Sequence, residues 1–181
     1  MRKQALLLGV AVLILALSGC CACNKADWPK APVLGHMSIP QKKLYLENVR
    51  QNLKVFRLTA LELDTHRRMT PEEAQKPCNG QGFRCEVQKY VELYAMPILQ
   101  DAEAQQHVET RLEVAKVNLL SAFIYEETGQ DSRARKLLKL FNKRYKKDTA
   151  IQNAVVDPTE MGCTRLAEGA ASLEAKLFTP N

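Results

Sequence analysis

Several features that mark common protein classes are missing from this 181-residue sequence. It has eight glycines and eight prolines and no tandem repeat or low-complexity tract, which excludes collagen-like chains and long flexible linkers. It also lacks the polar/apolar alternation of half-buried β-strands. Apolar residues still make up 46% of the chain, and a chain of this length can bury a substantial core. We therefore expect a single all-α globular domain.

Signature motifs of catalysis and cofactor binding are also missing. The sequence has no H-E-x-x-H zinc motif, no G-x-S-x-G nucleophile turn, no phosphate-binding glycine loop and no C-x-x-C-H haem attachment. His36, His66 and His107 have no ligand-like neighbour at helical spacing. The sequence thus predicts no metal, no cofactor and no enzymatic activity.

The N-terminus has the pattern of an export signal. Arg2 and Lys3 precede an apolar run over residues 5–17, which is too short for the roughly 20 residues that span a bilayer. No second apolar run approaches that length. The run ends at Leu17, Ser18, Gly19 and Cys20.

These four residues resemble the lipobox of bacterial lipoproteins. The resemblance implies that residues 1–19 are removed, that Cys20 is lipidated, and that the protein is held to a membrane of the cell envelope. Cys21 rather than Asp follows the lipidated position, which by the same resemblance favours the outer membrane, with the protein facing the periplasm. Nucleic acid is not an expected partner in that compartment.

The remaining chain is predicted to divide into a tether and a helical domain. Residues 20–40 contain Pro29, Pro32 and Pro40 and few periodic apolar positions, which predicts an extended tether. Residues 41–181 carry apolar residues at spacings of three and four, which predicts a bundle or short α-α superhelix of five to six helices.

The first helix is predicted from one apolar stripe, with its basic residues facing solvent. The stripe comprises Leu46, Val49, Leu53, Phe56, Ala60 and Leu63. The basic residues beside it are Lys42, Lys43, Arg50, Lys54 and Arg57. A short second helix is predicted to begin at Thr70 and Pro71 and to end near Pro77.

Four further helical segments are predicted after residue 86. The first is expected to kink or break near residues 96–97, at Pro97, and the next to end around Gly129. Another is expected over residues 131–147. The last is expected to begin with a capping box at Asp157 and to carry Cys163 on its buried stripe.

Two cysteines flank the Gly-containing loop inside the domain. The turn signal at Asn79 and Gly80 allows Cys78 and Cys85 to approach each other, and we expect a disulfide in an oxidising compartment. The alternative, a thiol or metal site, is disfavoured because the separation does not match C-x-x-C spacing.

Residues 114–145 resemble one tetratricopeptide motif. The separations of its packing residues match that family at Ala122, Tyr125, Gly129, Ala134, Leu138 and Phe141. Asn118 and Ser121 depart from it, since the family prefers a large aromatic residue and Leu there. The resemblance implies a surface that holds another protein or peptide. The alternative is an ordinary antiparallel helical hairpin.

Positive charge is concentrated on one predicted helix. The chain has 26 basic and 20 acidic residues. Between residues 133 and 147 there are eight basic residues and no acidic one: Arg133, Arg135, Lys136, Lys139, Lys143, Arg144, Lys146 and Lys147. This pattern predicts either a solvated helix face or a contact with an anionic surface.

Two hypotheses for function follow. The first is a non-enzymatic envelope lipoprotein that recruits or scaffolds another envelope protein at the outer membrane. The second is a lipoprotein that binds anionic lipid or peptidoglycan surfaces directly through the basic helix at residues 131–147.

Overall fold

The structure, a computed structural model, describes residues 30–62 and 82–178. These two ranges are largely helical and contain no β-strand, although an isolated antiparallel bridge joins Val155 and Arg165. The prediction of an all-α helical bundle is confirmed.

The helical segments differ widely in length. A 3₁₀ turn at Leu34–His36 comes first, and a π turn at Val91–Ala95 joins the second and third α-helices. The α-helices are α1 (Ile39–Glu62), α2 (Phe83–Tyr90), α3 (Met96–Gln100), α4 (Ala102–Gln106), α5 (Val108–Glu127), α6 (Asp131–Tyr145), α7 (Thr149–Gln152), α8 (Pro158–Met161) and α9 (Leu166–Phe178).

Helix α5 is the centre of the bundle. Residues 117–125 are all buried, and such a run makes more than two turns, so every side of the helix is covered there. Helices α1, α6 and α9 pack along it. The core therefore forms around α5.

Helix α1 carries the predicted apolar stripe. Leu46, Val49, Leu53 and Ala60 are buried, and Phe56 packs half-buried against the core. Leu63 lies outside the described residues. The stripe faces α5, as its spacing indicates.

The prediction that the basic residues of α1 face solvent is wrong for four of the five. Lys42 is only 2% exposed, and its Nζ lies 2.9 Å from Asp101 Oδ2 and 2.6 Å from Glu103 Oε2. Arg50, Lys54 and Arg57 are half-buried. Lys43 alone is exposed as predicted.

Arg50 and Arg57 form ion pairs with distant parts of the chain. Arg50 Nη1 donates to both carboxylate oxygens of Glu160, at 2.7 and 2.8 Å. Arg57 Nε donates to both oxygens of Glu127, at 2.9 and 3.1 Å. Arg57 also donates to the Glu160 carbonyl. These bonds tie α1 to the end of α5 and to α8.

The break predicted near Pro97 occurs slightly earlier, at the π turn. Proline has no N–H to donate and its ring disturbs the preceding turn. The N–H of Met96 donates to the carbonyl of Val91, the wider spacing of a π turn. Tyr45 Oη donates to the Tyr94 carbonyl at 2.8 Å. A hydroxyl group from α1 thus provides a hydrogen-bond donor for one backbone carbonyl of this irregular segment.

The single last helix predicted from Asp157 is in fact two helices. Gly162 has φ of +67°, in the left-handed region, and ends α8 after one turn. Asp157 accepts from the N–H of Thr159, but Glu160 binds Arg50 instead of completing a capping box. Cys163 falls in the connection and is half-buried, so its predicted place on a buried helical stripe is wrong.

The domain begins before the predicted boundary at residue 41. Leu34 is buried against the core, and Pro40 lies in the first turn of α1. Cys85, predicted at the end of a loop, lies in the first turn of α2. The signal peptide, Cys20, the helix near Thr70 and Cys78 lie outside the described residues. Within the described ranges, no helix is long and apolar enough to cross a bilayer.

Candidate functional site

The eight basic residues at 133–147 form two groups that differ in their exposure to solvent. Ala134, Leu137, Leu138, Phe141 and Tyr145 are buried, as their spacing predicts. The side of the helix opposite these residues faces solvent. Six of the eight basic residues are exposed: Arg135, Lys136, Lys139 and Lys143 on that side of α6, and Lys146 and Lys147 in the turn that follows it. We call these six residues the basic ridge.

Arg133 and Arg144 contribute to the fold instead. Both are half-buried at the edges of the helix. Arg144 Nη1 donates to the carbonyl of Leu99 at 2.7 Å, and Arg133 Nε lies 4.0 Å from Glu92 Oε1. The predicted eight-residue surface therefore comprises six exposed residues and two that connect α6 to neighbouring segments.

The basic ridge has no acidic counterpart in the described part of the chain. None of its six side chains forms an ion pair there. In contrast, the basic residues of α1 with charged partners are buried, as Lys42 is, or half-buried, as Arg50, Lys54 and Arg57 are. The ridge is thus a strip of uncompensated charge on the outer surface.

An exposed aromatic ring lies at one edge of the ridge. The guanidinium carbon of Arg135 is 5.4 Å from the ring centroid of Phe178, at the end of α9. Phe178 is 46% exposed. The sequence alone does not indicate Phe178 as part of this surface, because the contact depends on how α9 packs beside α6.

The six residues that carry the tetratricopeptide resemblance form the inside of the α5–α6 hairpin. Ala122, Tyr125, Ala134, Leu138 and Phe141 are buried hydrophobic residues, and Gly129 is also buried. These positions are occupied by packing residues, which is common to any tight helical hairpin.

The turn of this hairpin depends on Gly129. Its φ is +71°, and the N–H of Gln130 donates to the Tyr125 carbonyl at 2.7 Å. Burial, with a smaller contribution from Glu92, raises the pKa of the Tyr125 hydroxyl above its usual range. Tyr125 is therefore neutral and acts as a packing residue.

The candidate thiol and metal residues do not come together in the described ranges. Burial raises the pKa of the Cys163 thiol, which makes it less reactive. His107 caps α5, with Nδ1 accepting from the N–H of Glu109 at 3.3 Å. No cluster of three His, Cys, Asp or Glu residues that could hold a metal occurs within residues 30–62 and 82–178. The Cys78–Cys85 disulfide remains a prediction.

Comparison with known proteins gives no relative. No family model, no curated protein and no solved structure matches this chain. The tetratricopeptide and lipoprotein resemblances thus remain predictions from the residues that carry them, and the function has to be argued from the site.

Proposed function

We propose that this protein is a non-enzymatic lipoprotein of the bacterial cell envelope, anchored to the outer membrane through Cys20, whose helical domain binds an anionic surface through the basic ridge. The observation that carries the proposal is the exposed, uncompensated charge of the ridge. Buried side chains fix the orientation of α6, so these charges are presented together on one side.

The residue types of the ridge favour a diffuse anionic surface over a specific protein site. Five of the six residues are lysine, whose ammonium group is a hydrated point charge, whereas planar, bidentate recognition uses arginine. The centres of protein–protein interfaces are depleted of lysine and enriched in aromatic residues. Anionic lipids and peptidoglycan carboxylates both fit such a strip of positive charge.

Co-sedimentation tests this proposal. The mature chain with Cys20→Ser is mixed with purified peptidoglycan or with vesicles that contain phosphatidylglycerol. We expect binding to at least one of them at low salt, and loss of that binding at high salt or when Lys136, Lys139 and Lys143 are replaced by Glu. Absence of binding to both at low salt would overturn the proposal.

The anchor is tested separately in cells. We expect wild-type protein to stay in the membrane fraction after a high-salt wash, and the Cys20→Ser variant to be released by it. A wild-type chain that carries no lipid on Cys20 by mass spectrometry would contradict the proposed anchor.

A second candidate function is recruitment of another envelope protein. It is favoured by three exposed apolar residues on one side of α1, Leu44, Val55 and Leu58, which are 60%, 41% and 46% exposed. Crosslinking of the lipoprotein in its native cells, followed by affinity purification and mass spectrometry, tests this candidate. A defined envelope complex that survives charge reversal of the ridge would favour it over anionic binding.

A further inference from the structure

We propose that the basic ridge binds the phosphate groups of anionic lipids in the membrane that holds the Cys20 anchor, so that the domain lies with α6 against that membrane. This inference rests on the proposed function and names one anionic surface as the partner. Four observations support it: the distribution of charge, the shape of the ridge, the ring beside it, and the length of the tether.

Residues 133–147 account for the entire positive excess of the sequence. The chain has 26 basic and 20 acidic residues, and eight of the basic residues lie between residues 133 and 147, where there is no acidic one. The other 18 basic residues are outnumbered by the 20 acidic ones. Attraction to an anionic membrane therefore acts mainly on residues 133–147, which favours an approach with this segment towards the membrane.

The exposed basic residues of α6 lie on its outward-facing side. Lys136, Lys139 and Lys143 follow one another at spacings of three and four residues, and Arg135 lies about 100° around the helix from Lys136. From Arg135 to Lys143 the helix rises about 12 Å. A bilayer surface can meet all of these side chains at once because it is flat and its phosphate groups can move laterally to each ammonium group.

Phe178 adds an apolar contact beside the charges. Its exposed ring lies next to Arg135 at the edge of the ridge. Peripheral membrane proteins combine basic residues with aromatic rings that enter the boundary between headgroups and acyl chains. A contact with peptidoglycan carboxylates would use the lysines but gives no role to an exposed phenyl ring.

The tether keeps the domain within reach of the membrane. Ten residues, 20–29, separate the lipidated position from the first described residue, and they span at most about 35 Å. A second contact with the same membrane then forms at high effective concentration. Even weak binding by the ridge would therefore hold the domain at the surface.

Vesicle co-sedimentation of the mature Cys20→Ser chain tests the inference directly. The ridge variant replaces Lys136, Lys139 and Lys143 with Gln. We expect the parent chain to bind vesicles containing phosphatidylglycerol and not vesicles of phosphatidylcholine alone. At about 1 kcal/mol per lysine, the ridge variant should bind roughly 100-fold more weakly.

A control variant matches the change in charge. It replaces Lys30, Lys43 and Arg165, three exposed basic residues outside the ridge, with Gln. We expect it to bind anionic vesicles within about threefold of the parent chain, since none of its residues belongs to the ridge. Equal weakening of both variants would overturn the inference, because net charge alone would then explain binding.

Replacement of Phe178 by Ser distinguishes binding to a membrane from binding to other anionic partners. We expect it to weaken binding to anionic vesicles severalfold and to leave peptidoglycan binding unchanged. Binding of the parent chain to peptidoglycan but not to vesicles would overturn this inference and leave the proposed function standing. Binding to neither would overturn both.

Discussion

Asn118 and Ser121 are polar residues placed in the most buried part of the molecule. Both lie on α5 with no exposed surface, and neither the Asn118 amide nor the Ser121 hydroxyl has a hydrogen-bond partner among residues 30–62 and 82–178. Burying an unpartnered polar group costs about 1–3 kcal/mol. They are also two of the positions at which the sequence departs from the tetratricopeptide pattern, so these two departures have a structural cost.

Replacement of Ser121 by Ala should therefore stabilise the protein. We expect the free energy of unfolding to rise by about 1–2 kcal/mol, from removal of the unpartnered hydroxyl and from the better helix propensity of alanine. Urea denaturation followed by circular dichroism measures the change.

Ser172→Ala is the matched control for this prediction. Ser172 is exposed on α9, so only the propensity difference of about 0.5 kcal/mol applies. An equal gain at both positions would show that the Ser121 hydroxyl costs nothing.

Lys42 is the most deeply buried basic residue of α1. Its ammonium group is held by Asp101 and Glu103, and these bonds raise the pKa of Lys42 against the opposing effect of burial. Although burial of Asp101 acts in the opposite direction, the N–H of Ala104 and the Lys42 ammonium lower the pKa of that carboxyl below its usual range. The pair therefore stabilises the folded state in its charged form.

Replacement of Lys42 by Met should lower the free energy of unfolding by about 2–3 kcal/mol near neutral pH, because Asp101 loses its partner. Because the pKa of Asp101 is lowered on folding, its contribution is present above about pH 4 and is lost as the pH falls further. The difference between wild type and Lys42→Met should therefore shrink below about pH 4.

Chemical denaturation at several pH values measures this difference. Lys43→Met is the control, since the neighbouring Lys43 is exposed and should show almost no change. A pH-independent difference for Lys42→Met would contradict the role given to its ion pairs.

At the scale of helices, the sequence predicted which side of a helix is buried better than it predicted where helices begin and end. The apolar spacing of α1 and α6 indicated which of their residues are buried, because the buried side of a helix repeats every three or four residues. It did not indicate that α5 is buried on every side at residues 117–125. The predicted last helix began at Asp157, and the apolar spacing from Cys163 to Leu177 gave no sign that the helix breaks at Gly162. Periodicity alone cannot show that a glycine between two stripes takes a left-handed conformation.

Gly162 should be hard to replace for that reason. An alanine at φ of +67° costs about 1–2 kcal/mol, although the nearest atom to its Cβ would be Arg57 Nη2 at a comfortable 3.5 Å. We expect Gly162→Ala to lower the melting temperature by several degrees.

Gly35→Ala is the control for Gly162→Ala. A Cβ at Gly35 meets no atom within 4 Å, and its backbone does not require glycine. A loss of stability confined to Gly162 would support backbone strain as the cause. Equal melting temperatures for Gly162→Ala and wild type would contradict it.

The candidate site was predictable in part for a similar reason. The basic cluster is local to residues 133–147, so the sequence indicated six of its eight residues as exposed, but it did not indicate that Arg133 and Arg144 contact neighbouring segments. The pairs that bury Lys42, Arg50 and Arg57 join residues 59 to 110 positions apart. No local pattern indicates which charged residues will meet across such distances, and the contact of Arg135 with Phe178 was hidden in the same way.

Over the whole molecule, the ridge should be dispensable for folding. Neighbouring lysines at positions 136, 139 and 143 repel one another at spacings of three and four residues. We expect the Gln triple variant to unfold with a free energy equal to or up to about 0.5 kcal/mol above that of wild type at low salt, with the difference vanishing at high salt.

Urea denaturation at low and high salt measures this effect. A loss of more than about 1 kcal/mol would mean that the ridge is part of the fold. Weaker vesicle binding by the same variant would then have to be attributed to misfolding.

The complete burial of residues 117–125 on α5 has a consequence for hydrogen exchange. With α1, α6 and α9 packed along it, α5 can release its amide protons only when its neighbours separate from it. The backbone amides of these residues should therefore exchange with deuterium at the rate of global unfolding, while the exposed side of α6 opens independently and sooner. The slowest-exchanging amides would then mark a stretch of α5 that no binding partner can reach while the bundle is folded.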